Sequence, residues 1–154
     1  MRAVFLPGYT FDQGEVIEIT GERFHHLVNV TRLRSGSNVL LLRGDGIKAW
    51  ARVVQLEKRS LLLEIYDVQK EKDLRFLDLV VGIPKKEAFD EVLRVAAECG
   101  IRRVYPFECE YAQKLKFNEK RQQRVIESAV IQSNNPFNVQ VRPPFEKLEE
   151  VLSL

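Results

Sequence analysis

Apolar and polar positions follow two different rhythms along this chain. Through the first seventy residues the apolar runs are short and broken by glycine-rich or charged turns, a spacing that predicts β-strands. "RAVFLP" and "EVIEI" flank the turn-rich "GYTFDQG". In "TGERFHHLVNVT" the period changes. Phe24, Leu27 and Val28 fall at i, i+3 and i+4, one face of a short helix, with Thr20 placed to cap its start. "SGS" breaks that helix. "NVLLLR", "GDG" and "IKAWARVVQLE" then read as a hairpin around a glycine turn, and "KRS" turns the chain again into "LLLEIYDV". Short strands at this spacing predict a small β-barrel with one inserted helix.

"QKEKDLR" is a polar linker and the expected domain boundary, giving domains 1–70 and 71–154. Beyond it the apolar runs lengthen. "FLDLVVGI" is continuously apolar, as in a strand buried on both faces. "KKEAFDEVLRVAAECG" is an amphipathic helix with Phe89, Val92, Leu93, Ala96 and Ala97 inward and Gly100 closing it. "RRVYPF" is a second strand. A helix opened by Asn118 follows, then the short strand "VQVR", and "PPFEKLEEVLSL" is expected to start a helix at its prolines. Alternating strand and helix means a parallel α/β sheet. The predicted fold class is therefore α/β overall, an N-terminal β-barrel followed by a partial parallel α/β domain. Three strands are few for such a sheet, so a partner surface or further chain is expected to complete it.

Composition narrows the setting. The chain has 154 residues, 45% hydrophobic and 30% charged, with a net charge of only +2. No apolar run is long enough to span a membrane, and the N-terminus is too soon polar for a signal peptide. Cys99 and Cys109 make neither a disulfide framework nor a zinc motif, so a reducing cytoplasm is expected. The charge is uneven. From Glu22 to Arg59 there are eight Lys or Arg against three acids, an excess larger than that of the whole chain. Such an excess favours a polyanion, although a basic rim can serve solvation alone.

Candidate chemistry is sparse. His25 and His26, the only histidines, project about 100° apart on a helix and are poor joint metal ligands, so no metal is expected. They either pack and meet solvent, or help His26 and Arg32 shape a nucleic-acid surface, with Arg34 beside them. "GDG" sits between strands and is turn chemistry, not a phosphate loop. Cys99 beside Gly100 is expected in the core. Lys85 and Lys86 lie just past the first strand of the second half, where open α/β sheets place ligands, and either meet phosphate or form a polar helix start.

Taken together, "FHHLVNVTRLRSGSNVLLLRGDG", "AAECGIRRVYPFECEY" and "ESAVIQS" resemble the RsmE family, and the resemblance covers the whole chain. It implies a PUA-like RNA-binding barrel (residues 1–70) joined to a SPOUT-type methyltransferase domain (71–154). The implied activity is S-adenosyl-L-methionine-dependent methylation of uridine N3 in 16S rRNA of the small ribosomal subunit, by a cytoplasmic homodimer. On the barrel His26, Arg32 and Arg34 are expected to contact RNA, and Lys85 and Lys86 are expected to do so from the strand end where open α/β sheets place ligands. The chain also departs from the family. Asn29 stands where a cation is usual, Tyr111 and Ala112 follow Glu110 where Arg-Ser or Arg-Cys is usual, and Ile131, Gln132 and Asn135 stand where the family has Glu-Gln and then an arginine. The family's Gly-Pro-Glu-Gly-Gly loop and Leu-Arg-x-Glu-Thr-Ala segment do not occur. The cofactor site is accordingly expected beyond Leu154, and no catalytic base is named. The alternative implied by these departures is a non-catalytic RNA-binding module that lost the cofactor site.

Overall fold

A computed structural model describes residues 2–29, 33–109 and 118–154, without the side chains of His26, Asn29 and Lys86. Internal contacts divide the chain into two compact units, Met1–Lys72 and Asp73–Leu154.

The first unit is a five-stranded sheet in the order β1-β3-β4-β5-β2. Its strands are β1 (Arg2–Phe5), β2 (Val16–Thr20), β3 (Asn38–Leu42), β4 (Ile47–Leu56) and β5 (Ser60–Lys70), with helix α1 (Gly21–Asn29) between β2 and β3. The edge strands β1 and β2 feed the same core as the centre. Val4 and Ile19 join Leu41, Ala51 and Leu63, and α1 adds Phe24 and Leu27. A sheet whose two edges share one core curls into an open barrel, here helped by bulges at Trp50/Ala51 and Val53/Gln55 that increase twist. The helical face read from sequence holds: Phe24 and Leu27 are buried and Val28 packs half-buried against the core. The "GDG" segment is the β3–β4 turn. Gly44 and Gly46 both have φ above +90°, which other residues adopt only with strain, and Asp45 Oδ1 accepts from Ile47 N at 3.3 Å. β1 runs parallel to β3, a pairing that periodicity does not reveal.

The second unit is a parallel sheet in the order β6-β7-β8, with β6 Asp78–Gly82, β7 Arg103–Phe107 and β8 Gln140–Val141. Helix α2 (Lys86–Glu98) follows β6, α3 (Glu119–Ser133) precedes β8, and α4 (Leu148–Leu152) follows it. α2 buries Phe89, Leu93, Ala96 and Ala97, while Val92 is half-buried. It ends in a Schellman cap. Gly100 takes φ +73° and Ile101 N donates to Ala96 O at 2.9 Å. Asn118 caps α3 as expected, its Oδ1 accepting from Arg121 N at 3.0 Å.

Four expectations need correction. "QKEKDLR" contains the division between the two units, at Lys72/Asp73, but both of its ends belong to the units rather than to a linker. Gln69 and Lys70 belong to β5, Glu71 N donates to Gly46 O, and Arg75 is fastened within the second unit. "FLDLVVGI" is not buried on both faces. Among the described residues β6 pairs only with β7, Val80 within it is 38% exposed, and Phe76 and Leu77 just before it are 80% and 55% exposed. No helix starts at the prolines. Arg142 N donates to Val104 O and Phe145 N to Pro106 O, so the chain stays extended beside β7 and α4 begins only at Leu148. The proline rings explain this, because the residue before a proline is steered away from helical geometry. Cys99 is exposed at the end of α2 rather than in the core.

Candidate nucleic-acid interface

The basic excess of the first unit is partly neutralised by the fold. Arg43 and Asp45 form a bidentate pair across the β3–β4 turn, with Arg43 Nε 3.0 Å from both carboxylate oxygens. That hydrogen bonding lowers the Asp45 carboxyl pKa and raises that of Arg43. Lys48 pairs with Glu71, an acid outside the basic segment. Arg52 lies opposite Glu64 in the β4–β5 register. Arg23 sits over Tyr9, its Cζ 5.8 Å from the ring centre.

Arg34 is different. It is exposed in the turn before β3, and among the described residues its guanidinium has no ion pair. The turn itself is well held: Arg34 N donates to Ser37 Oγ at 3.1 Å, and Gly36 N donates to Val53 O at 2.8 Å. His26 belongs to α1, but its side chain lies outside the described residues, and so does all of Arg32. His25 is exposed and meets Phe24 edge-on, with ring centres 5.4 Å apart. Lys58 and Arg59 are part of the same basic excess. The register places them at the two-residue tip of the β4–β5 hairpin, which the sequence marks only as a turn between two apolar runs.

In the second unit Lys85 is exposed at the N-cap of α2, just past the carboxyl end of β6. Lys86 starts that helix, with its side chain outside the described residues. Arg34 and Lys85 thus belong to different units. Asp90 of α2 binds Arg121 of α3, Arg121 Nε donating to Asp90 Oδ2 at 3.0 Å. At the opposite end of the sheet Arg102 Nε donates to Asp78 Oδ1 at 3.0 Å, and the Arg102 guanidinium holds the Asp78 carboxyl below the usual range.

The face of β7 that carries Tyr105 is half-buried and is met by Phe145, ring centre to ring centre 6.2 Å. Tyr105, Phe145, Arg142, Pro143, Pro144 and Leu154 line an open groove of about 520 Å3. Its walls are aromatic rings and one guanidinium. No side-chain carboxylate lines it, so these six side chains alone offer nothing to ribose hydroxyls or to a sulfonium charge. Among the described residues no group of His, Cys, Asp or Glu is gathered for a metal, and no helix is long and apolar enough to cross a membrane.

Comparison with known proteins gives the arrangement a family. Residues 70–154 match the model of an RNA methyltransferase domain, and residues 19–66 match that of an RNA methyltransferase PUA domain. The ribosomal RNA small subunit methyltransferase E of Bacillus subtilis is 24% identical over 131 residues, 79% of this chain and 51% of its own length. Its namesake from Synechocystis is 28% identical over 131 residues, 83% of this chain and 43% of its own. The chain thus spans about half the length of these relatives. A crystal structure of the Neisseria gonorrhoeae methyltransferase E bound to S-adenosyl methionine superposes with a TM-score of 0.88 at 24% identity, over all of this chain and 65% of that one. A putative methyltransferase of Legionella pneumophila with bound SAM gives 0.79 at 21% identity, over 94% and 62%. Both confirm the fold: a PUA-like domain followed by a parallel-sheet domain. With more than half of its length matched by the methyltransferase model, and the PUA model matched ahead of it, the chain belongs to the RNA methyltransferase family that its barrel and sheet resemble.

Proposed function

We propose that this protein acts in S-adenosyl-L-methionine-dependent methylation of uridine N3 in 16S rRNA of the small ribosomal subunit. The observation that carries this reading is the order of the two matches, an RNA methyltransferase PUA domain followed by an RNA methyltransferase domain, along one chain. In this reading the barrel holds RNA through phosphate contacts from Arg32 and Arg34 with His26 beside them, and Lys85 and Lys86 meet phosphate at the carboxyl end of β6. N3 lies on the pairing edge of uracil, so the substrate base has to be unpaired or splayed out before the methyl group can reach it. The protein is read as a cytoplasmic homodimer whose second unit is of the SPOUT type.

One departure favours a second reading, a non-catalytic RNA-binding relative. Asn135, which stands near a family arginine, serves the fold: its Nδ2 donates to Ala97 O at 2.9 Å and its Oδ1 accepts from Phe137 N at 3.0 Å. The two readings separate when the protein is incubated with methyl-labelled S-adenosylmethionine and unmodified small ribosomal subunits. Label in the rRNA, recovered as 3-methyluridine, is the result expected of the enzyme. RNA binding without label identifies the binding module, and neither binding nor label removes both.

A further inference from the structure

The hairpin tip Lys58–Arg59 stands apart from the ion pairs of the first unit among the described residues. Glu57 N donates to Ser60 O at 2.9 Å, closing a two-residue turn with both cations exposed. The neighbouring acid does not pair with them. Glu57 instead accepts from Gln55 Nε2 at 2.8 Å and from Ser60 Oγ at 3.4 Å. Among the described residues neither Lys58 nor Arg59 forms an ion pair, unlike Arg43 and Lys48.

Strand register relates this tip to Arg34. The 34–37 turn is stitched to the far half of β4. Val53 N donates to Ser37 O at 2.9 Å, and Ser35 Oγ donates to Val54 O at 3.5 Å. From Val54, the extra residue of the second bulge, the chain runs on through Gln55 and Leu56 to the tip, at most about 13 Å at roughly 3.3 Å per residue. Between the two basic points Val54 and Leu56 are each 40% exposed. The border of β4 therefore carries a guanidinium at one end, apolar surface in the middle and two further cations at the other end.

We propose that Arg34, Lys58 and Arg59 form a track along the end of β4 that takes the phosphodiester backbone of RNA, with Val54 and Leu56 beneath a ribose. The proposal rests on the reading of the barrel as an RNA-binding unit and adds the hairpin tip to it. Two unpaired cations at one point and one at another suit separated phosphates rather than a single anion. With no exposed ring on this stretch, the contact holds backbone and does not read bases.

The test is fluorescence anisotropy of the whole chain with a labelled, unstructured RNA oligonucleotide over a range of salt. Replacing both tip cations (K58A with R59A) weakens binding at least about tenfold and lowers the log–log salt slope by roughly 1.5, as expected for two lost phosphate contacts. The charge-preserving swap (K58R with R59K) keeps the wild-type slope. Thermal unfolding of both variants at the wild-type midpoint shows that the turn still forms. Unchanged affinity and slope in the alanine variant, with salt-sensitive wild-type binding, overturns the track but leaves the RNA-binding barrel in place. Absence of RNA binding by the wild-type chain overturns both.

Discussion

Arg75 lays its guanidinium over the ring of Phe137, with Cζ 4.5 Å from the ring centre. The same guanidinium donates to Asn138 O at 2.8 Å and to both carboxylate oxygens of Asp73. One side chain at the entrance of the second unit thus ties that entrance to the loop before β8. Arg75→Ala is expected to destabilise the second unit by about 1–2 kcal/mol, from the lost cation–π contact and the lost charged hydrogen bond. Lysine restores only part, because it cannot stack and fork together. Hydrogen exchange in β6–β8 measures the loss, and unaltered protection there in Arg75→Ala contradicts the assignment.

The partner carboxylate gives a pH signature. Asp73 is lowered to about 2, chiefly by its hydrogen bonds from Arg75. A carboxylate depressed in the folded state stabilises above its ordinary value near 3.8 and loses that contribution as pH falls toward 2. Acid therefore weakens the second unit across this window, and Asp73→Asn has a shallower dependence there. Asp73 is largely exposed, so solvent screening keeps the difference small. Parallel acid-unfolding curves for the two proteins exclude the idea if they keep the same spacing from pH 5 down to 2, values spanning the ordinary carboxylate range.

Gly100 and Gly82 are required for different reasons. Gly100→Ala forces a side chain into φ +73° at the end of α2 and is expected to cost about 1 kcal/mol. At Gly82 the backbone is ordinary, but a Cβ would overlap Cys109 Sγ. Exposed Cys109 can turn its Sγ aside, so Gly82→Ala is expected to cost about 0.5–1.5 kcal/mol, and less when Cys109 is also alanine. Denaturant melts of the single and double variants test this coupling. Equal cost in both backgrounds shows that Cys109 is not the obstacle.

Much of the fold was legible from periodicity because each element is apolar on the side that it buries. α1 shows this with Phe24 and Leu27, α2 with Phe89, Leu93 and Ala96, and Asn118 marked the start of α3. The failures are equally specific. The apolar letters of "FLDLVVGI" do not say on which side β6 is paired, because that depends on which strands come to lie beside it. The tail after Val141 reads as a helix start, but backbone hydrogen bonds to β7 hold it extended through Phe145. At the candidate interface the charge excess was visible, but its pairing was not. Glu71 reaches Lys48 from beyond the segment counted, and Lys58 and Arg59 become a distinct point only once the β4–β5 register is known.

The central claim, that this protein serves uridine-N3 methylation of small-subunit rRNA, is tested most directly in cells. Nucleosides from the 16S rRNA of cells lacking the gene are compared by mass spectrometry with those of the parent and of a strain carrying the gene again. The account predicts that 3-methyluridine is lost in the deletion and returns on complementation. Its undiminished presence in the deletion strain would contradict the account.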